Sequence, residues 1–231
     1  MKKINILAII PARSGSKGIK DKNIYEFKSK PLMFWTFNAA KQSKLLDKVI
    51  FSSNSKKYIS IAKENGIDVP FLRPNNISSD ITSSAEVVIH ALDWVEKKLK
   101  LIPTYILYLQ PTSPLRTFND IDNSILIAKK NNADSVISVN KTDKHPYFLK
   151  ELNSQGEISH YMAMKNPTPR RQELEQYYVL NGAIFLVKTK FIKQGDWYGK
   201  NSFAYVMPKN RSIDIDSLDD IKLANFYINN L

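Results

Sequence analysis

The 231-residue chain predicts an α/β fold on a mostly parallel sheet. Near-continuous apolar runs at residues 4–10, 49–53 and 104–109 close on small or polar residues, as strands buried on both faces do. Segments of helical composition alternate with these runs, the order of βαβ units. Length and a 43% hydrophobic content suit one large domain over residues 1–231, with residues 140–180 as an insertion.

The first run ends in Pro11-Ala12-Arg13-Ser14-Gly15-Ser16-Lys17-Gly18, a small, basic, glycine-punctuated loop. In a parallel sheet, ligands bind beyond the carboxyl ends of the strands, where this loop falls. Backbone N–H groups and the cations Arg13, Lys17, Lys20 and Lys22 suit a polyphosphate. The loop is neither a P-loop nor the dinucleotide fingerprint, so spacing alone leaves a basic surface turn as an equal alternative.

Next come a helix over residues 31–43, apolar enough to pack on the sheet, and a strand over 49–53. A helix over 58–65 stops at Gly66, and a short strand covers 69–72. Ser78-Ser79-Asp80-Ile81-Thr82-Ser83-Ser84 precedes a helix over 85–98. One of these residues caps it, and the same hydroxyls suit a nucleotide. The strand over 104–109 runs into Gln110-Pro111-Thr112-Ser113-Pro114-Leu115-Arg116, where the prolines stiffen a loop. A helix over 119–131 and a strand over 134–139 follow. Residues 140–178 break the pattern and read as a lid or subdomain, with short antiparallel strands around 157–164. Strands resume at 182–187 and 203–207, and a last helix covers 218–230.

Between them, Ser212-Ile213-Asp214-Ile215-Asp216 alternates with a period of two, setting the isoleucines on one face and the carboxylates on the other. Paired carboxylates repel unless a cation lies between them, and Mg²⁺ takes a carboxylate or two together with phosphate oxygens. The alternative is that Asp216 or Ser217 simply caps the last helix.

Net charge is +12, from 34 basic and 22 acidic side chains, and it is scattered along the chain without a dense arm or an RNA-recognition motif. Anionic small-molecule substrates fit this pattern better than nucleic acid. There is no cysteine, which agrees with a reducing compartment, and no run approaches the ~20 residues of a membrane span. Met1-Lys2-Lys3 resembles the start of a signal peptide, but Arg13 and Lys17 interrupt it. The expected location is the cytoplasm, without membrane or nucleic-acid partners. His145 and His160 lack the spacing of a zinc site.

A-R-S-G-S-K-G-x-x-x-K-N (residues 12–23), Asp80 with Ser83 and Ser84, L-Q-P-T-S-P-L-R (residues 109–116) and S-I-D-I-D (residues 212–216) resemble, in order, the motifs of the CMP-sialic acid synthetase (acylneuraminate cytidylyltransferase) family. The resemblance implies a three-layer, Rossmann-like nucleotide-diphospho-sugar transferase fold with a small dimerisation subdomain, and a homodimer. It implies transfer of CMP from CTP to the anomeric hydroxyl of a nine-carbon 2-keto acid (nonulosonic acid) sugar, releasing pyrophosphate. Carried onto this chain, Arg13, Lys17 and Lys22 hold the triphosphate. Ala12, Arg13, Ser16, Asn23, Arg73, Thr82 and Ser84 contact the nucleotide, and Gln110, Arg171 and Asn181 face the sugar. Asp214 and Asp216 ligate Mg²⁺.

Ile81 and Thr82 depart from the family's D-T-A-S-S. Val179 stands where several sialate-activating relatives carry arginine, which weakens the case for N-acetylneuraminate and makes legionaminate a serious candidate. Gly18 is unlike the pseudaminate branch. Gly18 with Lys22-Asn23 also argues against the runner-up, an enzyme for the eight-carbon acid of lipopolysaccharide. From a different class, the alternative is a basic nucleic-acid-binding protein on the same fold.

Overall fold

The computed structural model describes residues 1–162, 170, 172 and 174–229. In chain order its elements are β1 (Lys2–Pro11), β2 (Glu26–Phe27), β3 (Lys30–Pro31), α1 (Leu32–Gln42), β4 (Lys48–Ser52), α2 (Lys56–Glu64) and α3 (Ser84–Trp94). They continue with β5 (Leu101–Tyr108), α4 (Phe118–Asn131), β6 (Ser135–Lys141), β7 (Lys150–Leu152), β8 (Ile158–His160), β9 (Tyr178–Lys188), α5 (Thr189–Ile192), β10 (Ser202–Val206) and α6 (Leu218–Ile228). A π-helical turn over Val95–Leu99 prolongs α3.

Six strands form one sheet in the order β10-β6-β9-β5-β1-β4. All neighbours are parallel except β9, which runs antiparallel between β5 and β6. The alternation of β1 divides the core in two. Ile6, Ala8 and Ile10 pack toward Met33 and Phe37 of α1, Tyr58 of α2 and Ile121 and Ile125 of α4. Leu7 and Ile9 face Val88, Ala91 and Leu92 of α3 and Ile192 of α5. Helices thus cover both faces, giving the expected three layers. A third cluster, with Ile19, Leu115, Ile215 and Ile221, seats α6 under the glycine-rich loop.

The expected strand over 69–72 is not formed. The extended chain there makes one bridge, Asp68 to Ile50, with the Phe51 N–H on the Asp68 carbonyl at 2.9 Å. Pro70 then has no N–H to continue a ladder. β7 and β8 pair as a hairpin outside the main sheet, where the subdomain was expected. Residues 163 and 164 of the expected strands and Asn230 of the last helix lie outside the described residues. No described helix is long and apolar enough to cross a membrane.

Candidate active site

A cleft of about 470 Å³ opens at the carboxyl ends of β1 and β5. The glycine-rich loop, residues 77–84, the start of α3, the proline loop and Asp216 form its walls.

The loop is fixed from below. Ala12 N–H donates to Ser52 O at 3.0 Å, Ser14 N–H to Asn54 Oδ1 at 3.0 Å, and the buried Asn23 amide to Arg13 O at 3.1 Å. Gly15 turns the chain with φ +82°. Gly18 passes so close to the acidic segment that a Cβ there would lie 2.5 Å from the Asp216 carbonyl oxygen. No other residue fits that crossing without moving backbone.

Lys22 reaches back across the same crossing. Its Nζ donates to Ile215 O and to Asp216 Oδ1, each at 2.7 Å. The acidic segment is anchored in turn to the proline loop by Ile215 N–H on Thr112 O at 2.8 Å. Ile215 is fully buried and Ile213 packs against the same cluster, as their shared face requires. Ser217, not Asp216, caps α6, in a capping box with Asp220. Asp216 is therefore left facing the cleft.

Asp214 lies deeper. Its Oδ1 is buried and finds no hydrogen-bond partner among the described residues. Burial above all, then the nearby Asp216 charge, raises its pKa against a hydrogen bond from Thr112 and the Lys22 charge. An orphaned buried carboxylate oxygen beside a second carboxylate suits a hard cation. Among the described residues no group of three or more acidic, His or Cys side chains converges. Mg²⁺ does not require one, because water and substrate phosphates complete its shell.

Farther along the same loop, Arg13 and Lys17 both pair with Asp80, Lys17 at 3.1 Å. Hydrogen bonding from Lys17, then the Arg13 charge, outweighs desolvation and holds the Asp80 carboxyl below its ordinary range. Arg73 is buried, with its Nε on Ser78 Oγ at 3.0 Å, and burial pulls its pKa down to about 10. Ser83 caps α3 in a capping box with Glu86, which frees Ser84 to face the cleft, where its hydroxyl accepts from Tyr108 at 3.1 Å.

The cleft therefore gathers Ala12, Arg13, Ser16, Lys17, Lys22, Asn23, Arg73, Thr82, Ser84, Gln110 and Asp216. Asn181 does not reach it. The Asn181 amide is buried, accepting from Ser138 Oγ at 2.6 Å and donating to Ser212 Oγ at 2.9 Å. It braces the strand beneath the acidic segment. Arg171 lies outside the described residues.

Sequence reasoning left Asp80 and Tyr108 out of the site, although Asp80 stands inside a quoted motif. It also missed a smaller pocket of about 140 Å³ that shares Ser84, Tyr108 and Gln110 with the cleft and is closed by Phe185, Trp197 and Tyr198. Its only sequence signal was the adjacent aromatic pair Trp197-Tyr198.

A family described as "Cytidylyltransferase" matches residues 7–229. An N-acylneuraminate cytidylyltransferase of Escherichia coli is 35% identical over 95% of this chain, and the chain spans about half (51%) of that relative's length. A CMP-N,N'-diacetyllegionaminic acid synthase of Legionella pneumophila is 31% identical over 96% of this chain and 95% of its own. In fold, a CMP:2-keto-3-deoxy-manno-octonic acid synthetase solved with CTP superposes at TM-score 0.70, with 13% identity, over 98% of this chain and 99% of that one. The strand order, the cleft and a match spanning nearly every residue agree: the chain belongs to the cytidylyltransferase family.

Proposed function

We propose that this chain transfers CMP from CTP to the anomeric hydroxyl of a sialic-acid-like nine-carbon sugar, with release of pyrophosphate. The observation that carries the reading is the juxtaposition of the basic loop and the acidic segment across one cleft, through Lys22 and Asp216.

The attacking hydroxyl must meet the α-phosphorus in line with the departing pyrophosphate, so positioning and charge neutralisation dominate the barrier. Arg13, Lys17 and Lys22 hold the triphosphate and take up charge as the pyrophosphate leaves. Arg73, Thr82, Ser84 and Asn23 hold the nucleoside and the loop beneath it. Asp214 and Asp216 would hold Mg²⁺, which when bound supplies charge neutralisation at the phosphates.

Gln110 stands between the cleft and the aromatic pocket, and this pocket takes the sugar's apolar substituents. N-acetylneuraminate and legionaminate remain the two candidates. The relatives that the chain matches carry both kinds of name, and Val179 leaves out the arginine associated with sialate.

The working unit is a homodimer. Leu149, Leu152 and Ile158 on and beside the hairpin, and Tyr178, Val179 and Leu180 of β9, are apolar side chains left exposed, which supports a partner surface in this part of the chain. Light scattering at working concentration tests this, and a strict monomer would exclude it.

The reading as a whole is tested by thermal protection. CTP with Mg²⁺ raises the melting temperature through mass action, whereas ATP, GTP and nonspecific DNA do much less. Equal shifts with DNA would favour the nucleic-acid class instead.

A further inference from the structure

Arg116 closes the proline loop, yet it does not line the cleft. It is 2% exposed and, among the described residues, makes no hydrogen bond or ion pair to a carboxylate. Burial pulls its pKa down to about 9, partly offset by the charge of Asp120, and it stays charged at neutral pH. Its Nε has no hydrogen-bond partner among the described residues. A guanidinium held this way is expensive to keep, and breaking such a buried arrangement is more so.

Its bonds show what it holds. Nη1 donates to the carbonyls of Gln110 at 3.2 Å and Ala183 at 2.7 Å, and Nη2 donates to Thr36 Oγ1 at 2.6 Å. Both carbonyls lie where the sheet is interrupted. Gln110 follows the end of β5 and precedes Pro111, which has no N–H. Ala183 sits in a bulge of β9, where the register passes from Ile137↔Phe185 to Val139↔Leu180, so that residues 181–184 face Ser138 alone. In this bulge Gly182 takes φ +72°, and a Cβ there would lie 2.8 Å from Gln110 Oε1 and 3.2 Å from Asp214 Oδ2. The amide and the carboxylate thus converge on the one residue without a side chain.

We propose that Arg116 is a positioning residue that fixes Gln110 against Asp214 by tying together the backbones of β5 and the β9 bulge. It acts through these two groups and touches no substrate. The inference rests on the proposed roles of Gln110 toward the sugar and Asp214 toward Mg²⁺.

Arg116→Lys tests it, because a lysine keeps the charge but not the planar fork that spans two carbonyls and a hydroxyl. CTP binding, read at equilibrium without sugar and at saturating Mg²⁺, is expected to be unchanged, since Arg13, Lys17 and Arg73 stand on other elements. The turnover number per folded molecule should fall by about 10²-fold, the cost of misplacing reacting groups by an ångström. The Mg²⁺ concentration that half-saturates CTP binding should rise by about tenfold or more, as when a support behind a metal ligand is lost. Unchanged turnover and Mg²⁺ dependence would overturn the proposal. So would parallel losses in CTP affinity and turnover, which mark general damage to the domain. If Arg116→Lys does not fold, Thr36→Val removes the Nη2 acceptor together with the long Thr36 hydroxyl bond to the Gln110 carbonyl at 3.4 Å, and carries the same split at smaller size; no split there overturns the proposal equally. A wild-type protein that fails to bind CTP would instead sink the proposed function.

Discussion

Lys22 and Asp216, 194 positions apart in sequence, meet with Nζ 2.7 Å from Oδ1, so the cleft holds a cation against its acidic segment. The Lys22 side chain is 14% exposed and that of Asp216 is 76%. Asp216→Asn removes a carboxylate that packs against little, and the fold should survive. Turnover is expected to drop by about 10²–10³-fold, the scale of losing a preorganised electrostatic group. Pyrophosphate release and a thermal melt on one sample check both halves; wild-type turnover at low Mg²⁺ would remove Asp216 from the cation site.

The two lysines of the loop should separate. Lys17 lines the cleft, whereas Lys20 is exposed and outside it. Lys17→Ala should cost far more activity than Lys20→Ala in steady-state kinetics. Equal losses would mean that the loop works only through its overall charge.

Asp80 occupies, against Arg13 and Lys17, the place where phosphates are proposed to bind. Its carboxyl stays ionised through the neutral range, so an incoming anion must displace it. Asp80→Asn should therefore bind inorganic pyrophosphate more tightly than wild type by calorimetry. Weaker binding would show that Asp80 holds the two cations in place and does not compete with the ligand.

Asp214 supplies a pH dependence of known sign. Its folded pKa is raised, chiefly by burial, so the ionised form costs stability above that value and protonation relieves the cost as pH falls through it. Mg²⁺ needs the ionised form, so Mg²⁺-assisted CTP binding should weaken as pH falls through the same window. Asp214→Asn should flatten that profile and raise the melting temperature of the nucleotide-free protein near neutral pH. A lower melting temperature would mean that Asp214 is a structural group.

Arg211 and Asp120 form a different kind of pair, away from the cleft. Asp120 is fully buried and, against the desolvation that opposes its charge, bonds from Arg211, Thr117 and Tyr205 hold its pKa below the ordinary value. Arg211 Nη2 lies 2.7 Å from it. Because the folded pKa is depressed, this stabilisation is present above the unfolded pKa and is lost as pH falls through the folded one. Arg211→Met should cost about 3–5 kcal/mol in denaturant unfolding, with turnover per folded molecule unchanged.

Most residues that line the cleft were legible because they come from short contiguous motifs at strand ends. The run over 4–10 announced β1, and the period of two at residues 213–216 announced the inward face of Ile213 and Ile215. What stayed hidden depends on register and on distant partners. Nothing local shows that β9 runs antiparallel between β5 and β6, or that its bulge turns Asn181 inward to Ser138 and Ser212. A short apolar run over 69–72 looked like a strand, but Pro70 leaves it without a donor. The site role of Asp80 emerges only when residues 13 and 17 fold back against it.

Pyrophosphate release from CTP and Mg²⁺, with N-acetylneuraminate, legionaminate and the eight-carbon acid in parallel, tests the proposed reaction most directly. The expected result is rapid release with one nine-carbon sugar, slow release with the eight-carbon acid, and none without sugar. Fastest release with the eight-carbon acid, or none with any sugar while CTP remains bound, would contradict it.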